Sequence, residues 1–579
     1  MSPPDFPVRS QPEVDSNTKS PLNRGVQASE TVVSTPSSSC RYPILNPLIP
    51  VLEKIIPISV ACELLELYFE QPGSSLLKFT SPYVLTHILR RRPILHPTHP
   101  RATSQGLLFA MLHATAHTAD TACFYVPGSR AKICDALYIA TVQHLRDSDD
   151  WHRMLDAQRQ PNTTNGKYSD DLGPTAGTDE LLTLILLTVV VSGGTFKADC
   201  LRWWRKSINL ARILKLNQLD SKRRSEDYHL HLLDVEAMEE KRRLFWLVFC
   251  LDRHLALSYN APLSIFDADI LVYLPLPEKL WEDIDLHFSS VRNHRVYGPS
   301  MVVSGTGFFE FFLPLMTILG DIVILHHRRL HPRFGTLEDA DDTTVVEGLL
   351  EKCQHSIHEL QESANNTGAL RRASTATNGP EEMDSANNIE RATYAARVGL
   401  VAAYGTHILH VLAVLLYGKW DPLDMLSTST TSNVADEHNT TANSDDWVTP
   451  ARFIKCASHA VSGSQAVAAI IKLDPELAFM PYLFGIYLLH GSFILLLFAD
   501  RMPQLGGPNP EVEEACETIV RAHEICIVTL STEFQRSFRR ILRSTLYAVR
   551  STEPKLIDPA RRKALEMYRW TRGGRGLAL

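Results

Sequence analysis

Apolar residues recur along this chain at helical spacing, and the alternating patterns typical of strands are nearly absent. One predicted helix begins at the N-cap Ser59 and runs to Phe69. Its apolar residues stand at i, i+4, i+7 and i+8 and are Val60, Leu64, Leu67 and Tyr68. The pattern predicts an all-α protein, with one large helical assembly from which loops project.

Two further helices carry long apolar stripes. Asp234 is the predicted N-cap of a helix over Glu236–Ser258, because acidic residues fill its first turns. Its stripe consists of Leu244, Leu247, Val248, Leu251 and Leu255. In the stretch that begins at Leu201, one face holds Leu201, Trp204, Ile208 and Ala211. Trp203 and Trp204 point about 100° apart on a helix, so one of them borders a cavity or both pack at a helix junction.

Polar segments interrupt the helical pattern. Residues 1–41 are rich in Ser, Pro, Thr and Asn and are predicted to be disordered. Three later segments, near 158–179, 361–388 and 427–446, contain too little apolar surface to offset the entropy of ordering. We therefore expect each of them to be a flexible insertion between helices.

Two apolar runs are long enough to raise the question of a membrane. Residues 479–499 have the length of a bilayer span, but they contain Pro481, His490 and Ser492 and lack flanking basic clusters. We expect a central core helix there, with a membrane-anchored regulator as the alternative. Residues 181–191 are too few to span and predict a buried helix.

Charge is unevenly distributed in this chain of 579 residues, whose net charge is −7. From Arg536 to Leu579 there are 12 Lys and Arg against 3 Asp and Glu. A helix would present a stripe of four arginines from this block on one face. They are Arg536, Arg539, Arg540 and Arg543. The stripe is a candidate contact face for phosphates or an acidic partner, and a solvated helix face is the alternative.

Elsewhere, two arginines precede Ser374 in a polar segment, which makes Ser374 a candidate phosphosite.

Motifs for catalysis are absent from the sequence. It contains no G-x-x-x-x-G-K-[ST], strand-linked G-x-G-x-x-G, H-E-x-x-H or G-x-S-x-G. His113 and His117 lie one helical turn apart, a spacing that could hold a metal with two ligands. A helical metal-dependent enzyme is therefore the rival hypothesis, against two ordinary histidines on a half-buried helix. We expect no catalytic site and no catalytic residues.

A series of short sequence words resembles the regulatory region of fungal binuclear zinc-cluster transcription factors, in particular the xylanolytic activator (xylanase regulator) group. Among them are Ser81-Pro82-Tyr83-Val84-Leu85, Leu201-Arg202-Trp203-Trp204, Asp252-Arg253-His254-Leu255-Ala256-Leu257, His331-Pro332-Arg333-Phe334-Gly335, Lys419-Trp420-Asp421-Pro422, Phe479-Met480-Pro481 and Tyr568-Arg569-Trp570-Thr571. The resemblance covers about 42–579. It implies one all-helical regulatory domain, in the nucleus, that responds to a small sugar-derived inducer and controls genes for sugar-polymer utilisation.

The sequence departs from this family at its N-terminal side. Members hold two zinc ions with six clustered cysteines, whereas here Cys40 is the only cysteine before the helical region and no two cysteines are closer than ten positions. We therefore expect no zinc or other cofactor in this chain, and contact with DNA only indirectly or through a missing module. Either 5′ exons are absent from the gene model, or the chain is a cluster-less co-regulator that pairs with a full-length relative or competes for its inducer. The partner expected for the chain is a second copy of itself or a full-length relative.

Five residues in the matching words are candidates for the inducer pocket or for the switch that responds to it. They are Arg202, Trp203, Trp204, Asp252 and Arg253. The adjacent acid and base could instead form a structural ion pair, and this alternative stays open. A ligand shifts such a domain between masked and active states only if it binds the two with different affinity.

Overall fold

The fold was analysed in a computed structural model that describes most of the chain from Cys40 onward. The described residues are 40–70, 81–147, 176–193, 197–221, 232–287, 296–335, 339–374, 384–421, 450–501, 510–530, 539–544 and 546. Within these ranges the structure has helices and no strand, apart from one isolated bridge between Tyr273 and Tyr297. The predicted all-α class is confirmed. The segment 1–41, expected to be disordered, lies outside the described residues except for its last two.

Sixteen α-helices are described in these ranges. They are α1 (Ile49–Leu52), α2 (Ile58–Tyr68), α3 (Arg91–Ile94), α4 (Gln105–Ala116), α5 (Ser129–Asp147), α6 (Ala176–Ser192), α7 (Lys197–Ile213), α8 (Leu232–Tyr259), α9 (Glu278–Glu282), α10 (Ile284–His287), α11 (Phe308–Arg329), α12 (Ala340–Ser374), α13 (Asp384–Tyr417), α14 (Pro450–Leu473), α15 (Pro481–Arg501) and α16 (Pro510–Leu530). Short 3₁₀ helices span Pro43–Leu48, Ala122–Phe124, Leu216–Gln218 and Asp267–Asp269.

Helices α8 and α11 lie at the centre and pack against each other. The first half of the chain adds α4, α6 and α7, with α6 contacting all three of α4, α7 and α8. The second half adds α13, α14, α15 and α16, of which α13 packs along α14. Close helix approach is visible at Gly405 of α13, where a Cβ would come within 2.9 Å of the Ile357 side chain of α12. The buried apolar residues form one main cluster across these helices.

The apolar stripes predicted from the sequence are buried as expected, while two helix starts differ. All five stripe residues of α8 are at most 3% exposed. However, α8 begins at Leu232, so Asp234 lies inside the helix instead of capping it. Helix α2 begins at Ile58 after Pro57, one residue before the predicted cap Ser59. The start of α2 differs by the one or two positions that are common at helix ends, whereas α8 begins four residues before the predicted Glu236.

Parts of the predicted insertions are helical. Residues 361–374 continue α12, and residues 384–388 begin α13. The last four residues of 158–179 lie in α6, while 427–446 is outside the described residues. The prediction of flexible loops is therefore wrong for these described parts. Polar composition did not distinguish a loop from a long helix whose side chains face solvent, as several do in α12.

Both long apolar runs are helices packed inside the protein. Residues 181–191 lie in α6 and residues 481–499 lie in α15, and most of their described side chains are buried. By length and composition, two other helices could cross a membrane, namely Phe308–Arg329 and Arg391–Tyr417. In the structure 78% and 72% of their apolar windows are buried. Such burial is typical of core helices.

Candidate functional site

Helix α8 carries an unusual number of buried charges on an otherwise apolar core helix. Seven charged residues of this helix are at most 7% exposed, and they are Glu236, Glu239, Glu240, Arg242, Arg243, Asp252 and Arg253. A buried charge is tolerated only when it is paired and hydrogen-bonded. Each of these residues indeed meets an opposite charge or polar backbone group, usually from a distant part of the chain.

Two arginines outside α8 connect its first turns to other helices. Arg90 donates to Glu236 at 2.9 Å and to Asp285 at 2.8 Å. Arg101 donates to both carboxylate oxygens of Glu240 at 3.1 and 2.9 Å, and its Nη2 also lies 2.9 Å from a carboxylate oxygen of Asp179. Burial raises the pKa of Glu240 to about 7, although the guanidinium opposes that rise.

Arg243 organises the middle of α8. Its side chain is fully buried, and its nitrogens donate to the carbonyl oxygens of His87 and Leu276 and to the Glu278 carboxylate. The guanidinium carbon lies 5.4 Å from the ring centre of Trp281, within cation–π distance. Arg243 therefore connects α8 to the segment before α3 and to the start of α9.

The candidate pair Asp252 and Arg253 holds a loop against α8. One carboxylate oxygen of Asp252 accepts the backbone N–H groups of Ser264 and Ile265 at 2.9 and 3.0 Å. Arg253 donates to the Ile265 carbonyl at 2.9 Å and to Asp267 at 2.7 Å. The same Asp252 oxygen accepts from Arg253 at 3.2 Å. Burial raises the pKa of Asp252, against the lowering effect of these donors.

The candidate tryptophans occupy two faces of α7. Trp203 is 4% and Trp204 is 6% exposed, so both are buried. Packing on both α6 and α8 explains how adjacent residues can both be covered. Arg202 is exposed, with its guanidinium carbon 5.7 Å from the Trp203 ring centre. Their role in an inducer pocket stays a prediction.

The structure contains a cleft that the sequence did not indicate. One part of it has a volume of about 60 Å³ and is lined by apolar side chains and six polar ones. The polar lining is Ser81, Thr86, His87, Glu278, Thr306 and Arg397. The apolar lining is Pro82, Val84, Leu85, Phe308, Phe311, Ala478, Phe479, Met480, Pro481 and Leu483. None of the five candidate inducer-pocket residues lines it. Two of the words that carry the family resemblance, at 81–85 and 479–481, do line it, and they are the signal that could have found it.

A second, larger part of the cleft is polar and has a volume of about 370 Å³. It shares His87 and Glu278 with the first part, so the two lie side by side. Its lining is Phe69, Glu70, His87, Leu89, Arg90, Arg91, Arg92, Glu278, Trp281, Glu282 and Asp283. The Trp281 side chain is fully buried, and its indole Nε1 meets no hydrogen-bond acceptor among the described residues.

His87 and Glu278, the two residues shared by both parts, are each fixed by a hydrogen bond to another segment. His87 Nε2 lies 2.9 Å from the Tyr68 carbonyl oxygen, which requires the proton on Nε2 and leaves Nδ1 as an acceptor. Burial lowers the pKa of His87, which favours the neutral ring. The backbone N–H groups of Glu278 and Gly307 donate to the Glu310 carboxylate at 3.1 and 3.2 Å. Burial raises the pKa of that carboxyl.

The remaining sequence-based candidates have clear positions or lie outside the described residues. The ring nitrogens of His113 and His117 are 3.1 Å apart, so they hydrogen-bond to each other. No group of three or more His, Cys, Asp or Glu placed to hold a metal occurs in the described part of the chain. For the basic face, Arg536 is not described, while Arg543 pairs with Glu524.

The structure also describes two more residues of the predicted basic face and the backbone of the predicted phosphosite. Arg539 is half-buried and Arg540 is exposed, and both belong to the helical residues 539–544. Ser374 is the last residue of α12, and its side chain is outside the described part. The contact face and the phosphosite therefore stay predictions.

Comparison with known proteins places this arrangement in context. The fungal specific transcription factor domain matches residues 83–373, half of the chain. The xylanolytic transcriptional activator xlnR of Emericella nidulans is 38% identical over 94% of this chain and 64% of its own length. The proteins of the same name from Aspergillus clavatus and Aspergillus niger are 38% and 37% identical over 94% of this chain, and 60% and 62% of their own lengths. The chain thus spans somewhat under two thirds of these relatives. No solved structure matches it.

Proposed function

Because the chain belongs to the family defined by the fungal specific transcription factor domain, we propose that it regulates transcription of genes for xylan and sugar utilisation in response to a small sugar-derived inducer. The observation that carries the proposal is similarity over 94% of the chain to proteins named xylanolytic transcriptional activators. The matching domain belongs to transcription factors and not to enzymes. We propose no metal or organic cofactor for this chain.

The proposed mechanism is a shift between masked and active states of the helical domain. An inducer can cause such a shift only through different affinity for the two states. Asp252 and Arg253 suit a switch better than a ligand contact, because their polar atoms already hold the loop at 264–267. Release or retention of that loop would give the two states a structural difference.

The family also suggests where the protein acts and with what. Transcription factors act in the nucleus, so we propose a nuclear location. We propose that the chain influences DNA either through a DNA-reading module outside this sequence or through a full-length partner in a homo- or heterodimer. We propose no role for a membrane.

A reporter assay tests the regulatory function of the chain as it stands. The 579-residue chain is fused to a bacterial repressor domain that brings its own DNA site, and that site is placed upstream of a reporter gene in a fungal host. We expect reporter output to change on addition of D-xylose or xylobiose and not on addition of glycerol. Output that is identical with all three additions contradicts inducer response. Fluorescence microscopy of the fusion checks nuclear location.

A further inference from the structure

We propose that the cleft around His87 and Glu278 binds a neutral, polyhydroxylated small molecule and is the inducer site of this chain. This inference rests on the proposed function, to which it adds a position and a ligand class. It places the site away from the five residues indicated by the sequence words.

The larger part of the cleft has a suitable size, and the smaller part lies beside it. Its larger part, about 370 Å³, falls in the range of about 300–1,000 Å³ that is typical of small-molecule sites. The smaller part adds an apolar wall next to it, since both parts contain His87 and Glu278. A ligand that reaches both parts would lie in the larger one and place one apolar face against this wall.

The charges of the lining favour a neutral ligand. Four arginines line the cleft, and so do four carboxylates. They are Arg90, Arg91, Arg92 and Arg397, with Glu70, Glu278, Glu282 and Asp283. A lining of balanced charge offers a polyol both donors and acceptors, because each hydroxyl can donate and accept. An anion would meet four carboxylates and a cation four guanidinium groups, so neither gains from the site as a whole.

The aromatic residues of the lining also suit a sugar ring. Phe308, Phe311 and Phe479 form part of the apolar wall, a surface on which the C–H face of a sugar ring can pack. The buried indole N–H of Trp281 finds no acceptor among the described residues. This nitrogen has no solvent-accessible surface, so the aromatic wall and not the indole donor carries the argument for a sugar ring.

The cleft is also connected to the centre of the fold. Its lining comes from six separate segments, at 69–70, 81–92, 278–283, 306–311, 397 and 478–483. Arg243 of α8 donates to the His87 carbonyl and to the Glu278 carboxylate, which belong to two of these segments. A ligand that bridges the segments would favour the arrangement in which they are close together. Occupancy would thereby select one state of the domain.

Calorimetric titration of the full 579-residue chain tests both the ligand class and the position. The neutral probes are D-xylose and xylobiose, and the anionic probes are glucuronic acid and phosphorylated xylose. We expect binding of a neutral probe and at least tenfold weaker binding of its anionic counterpart. Anionic probes that bind as tightly as neutral ones, or better, overturn the ligand class.

Two variants of the lining and one control locate the site. Thr86→Phe inserts a ring into the cleft from a half-buried position, and Arg397→Gln removes one of its charges. Thr98→Phe adds the same ring at an exposed position outside the lining and is the matched control. We expect each lining variant to weaken binding at least tenfold and the control to leave it unchanged. Far-UV circular dichroism confirms that each variant is folded.

The outcomes separate this inference from the proposed function. If the chain binds a neutral probe and both folded lining variants bind it equally well, the cleft is not the site, while inducer response remains. If no probe binds the purified chain, the inference fails, and the reporter assay decides the proposed function independently. If only one lining variant folds, that variant alone decides the position against the control.

Discussion

Mild acid should destabilise this protein strongly because its helices bury many neutral histidines. Burial lowers the pKa of eight of them to about 3 or 4, against an ordinary value near 6.5. They are His113, His117, His254, His326, His407, His410, His490 and His523. In the unfolded chain each of these rings takes up a proton below about pH 6.5, whereas in the folded chain it does so only near pH 3 or 4.

The magnitude follows from this difference in proton uptake. The neutral buried histidines cost no stability above their unfolded pKa of about 6.5. The free energy of unfolding then falls as the pH drops from about 6.5 toward the pKa values of the folded state. At pH 5.5 each histidine lowers the free energy of unfolding by about 1 kcal/mol, and the eight together lower it by on the order of 10 kcal/mol. Such a loss is comparable with the whole stability of a typical protein, about 5–15 kcal/mol.

Buried carboxyl groups oppose part of this loss. Burial raises the pKa of Glu240 to about 7 and that of Asp321 to about 6, so the folded state takes up protons at these groups as the pH falls. Together these two groups raise the free energy of unfolding by about 3 kcal/mol between pH 7.5 and pH 5.5. Burial also raises the pKa of Asp179 and Asp252, which act in the same direction. The net expectation is a loss on the order of 5–8 kcal/mol.

Urea unfolding followed by far-UV circular dichroism at pH 7.5, 6.5 and 5.5 checks this prediction. We expect the midpoint to fall steadily, with unfolding near pH 5.5 in little or no urea. His254→Gln removes one titrating ring and should reduce the dependence on pH by about one proton, while His355→Gln at an exposed position of α12 is the control. An unchanged midpoint across this range, or equal effects of both variants, would refute the reasoning.

Three substitutions test the buried side chains described above. Arg253→Met leaves the Asp252 carboxylate buried without its cation, so the free energy of unfolding should fall by about 3–5 kcal/mol in urea titration; a change below 1 kcal/mol contradicts the assigned pairing. Arg243→Met should accelerate hydrogen exchange of the amides around Glu278 by roughly 100-fold or more, and unchanged exchange there contradicts its anchoring role. Trp204→Ala should cost about 3–5 kcal/mol, and a folded variant with full inducer response in the reporter assay removes Trp204 from the candidate pocket.

The sequence predicted the helices well because their apolar periodicity is a local property. The stripe of α8 and the buried helix over 181–191 were both visible within a single window of residues. The boundaries were less certain, as Ser59 and Asp234 show, because neighbouring residues compete to begin a helix. Polar composition also concealed the helical residues 361–374.

The buried charges and the cleft could not be predicted in this way. Arg90 and Asp285 are 195 positions apart, and Arg101 and Glu240 are 139 apart. In sequence each of these residues resembles an ordinary surface charge, since only the fold brings its partner close. The cleft likewise combines six segments, so none of its chemistry is visible in one stretch. The stretches at 81–85 and 479–481 carry part of the family resemblance, but the sequence does not show that they lie close together in the fold.

The row of ion pairs along α8 also determines how the molecule can move. A shift of one residue along the helix axis is 1.5 Å and a shift of one turn is 5.4 Å. Pairs such as Arg242 with Asp220, at 2.6 Å, would separate under either shift and leave charges stranded in an apolar interior. Helix α8 is therefore held in a single register against its partners. The loop at 264–267 and the segment around Glu278 are held to α8 by pairs of the same kind, Arg253 with Asp267 and Arg243 with Glu278. A change of state that moves either segment must therefore first break a pair with this helix.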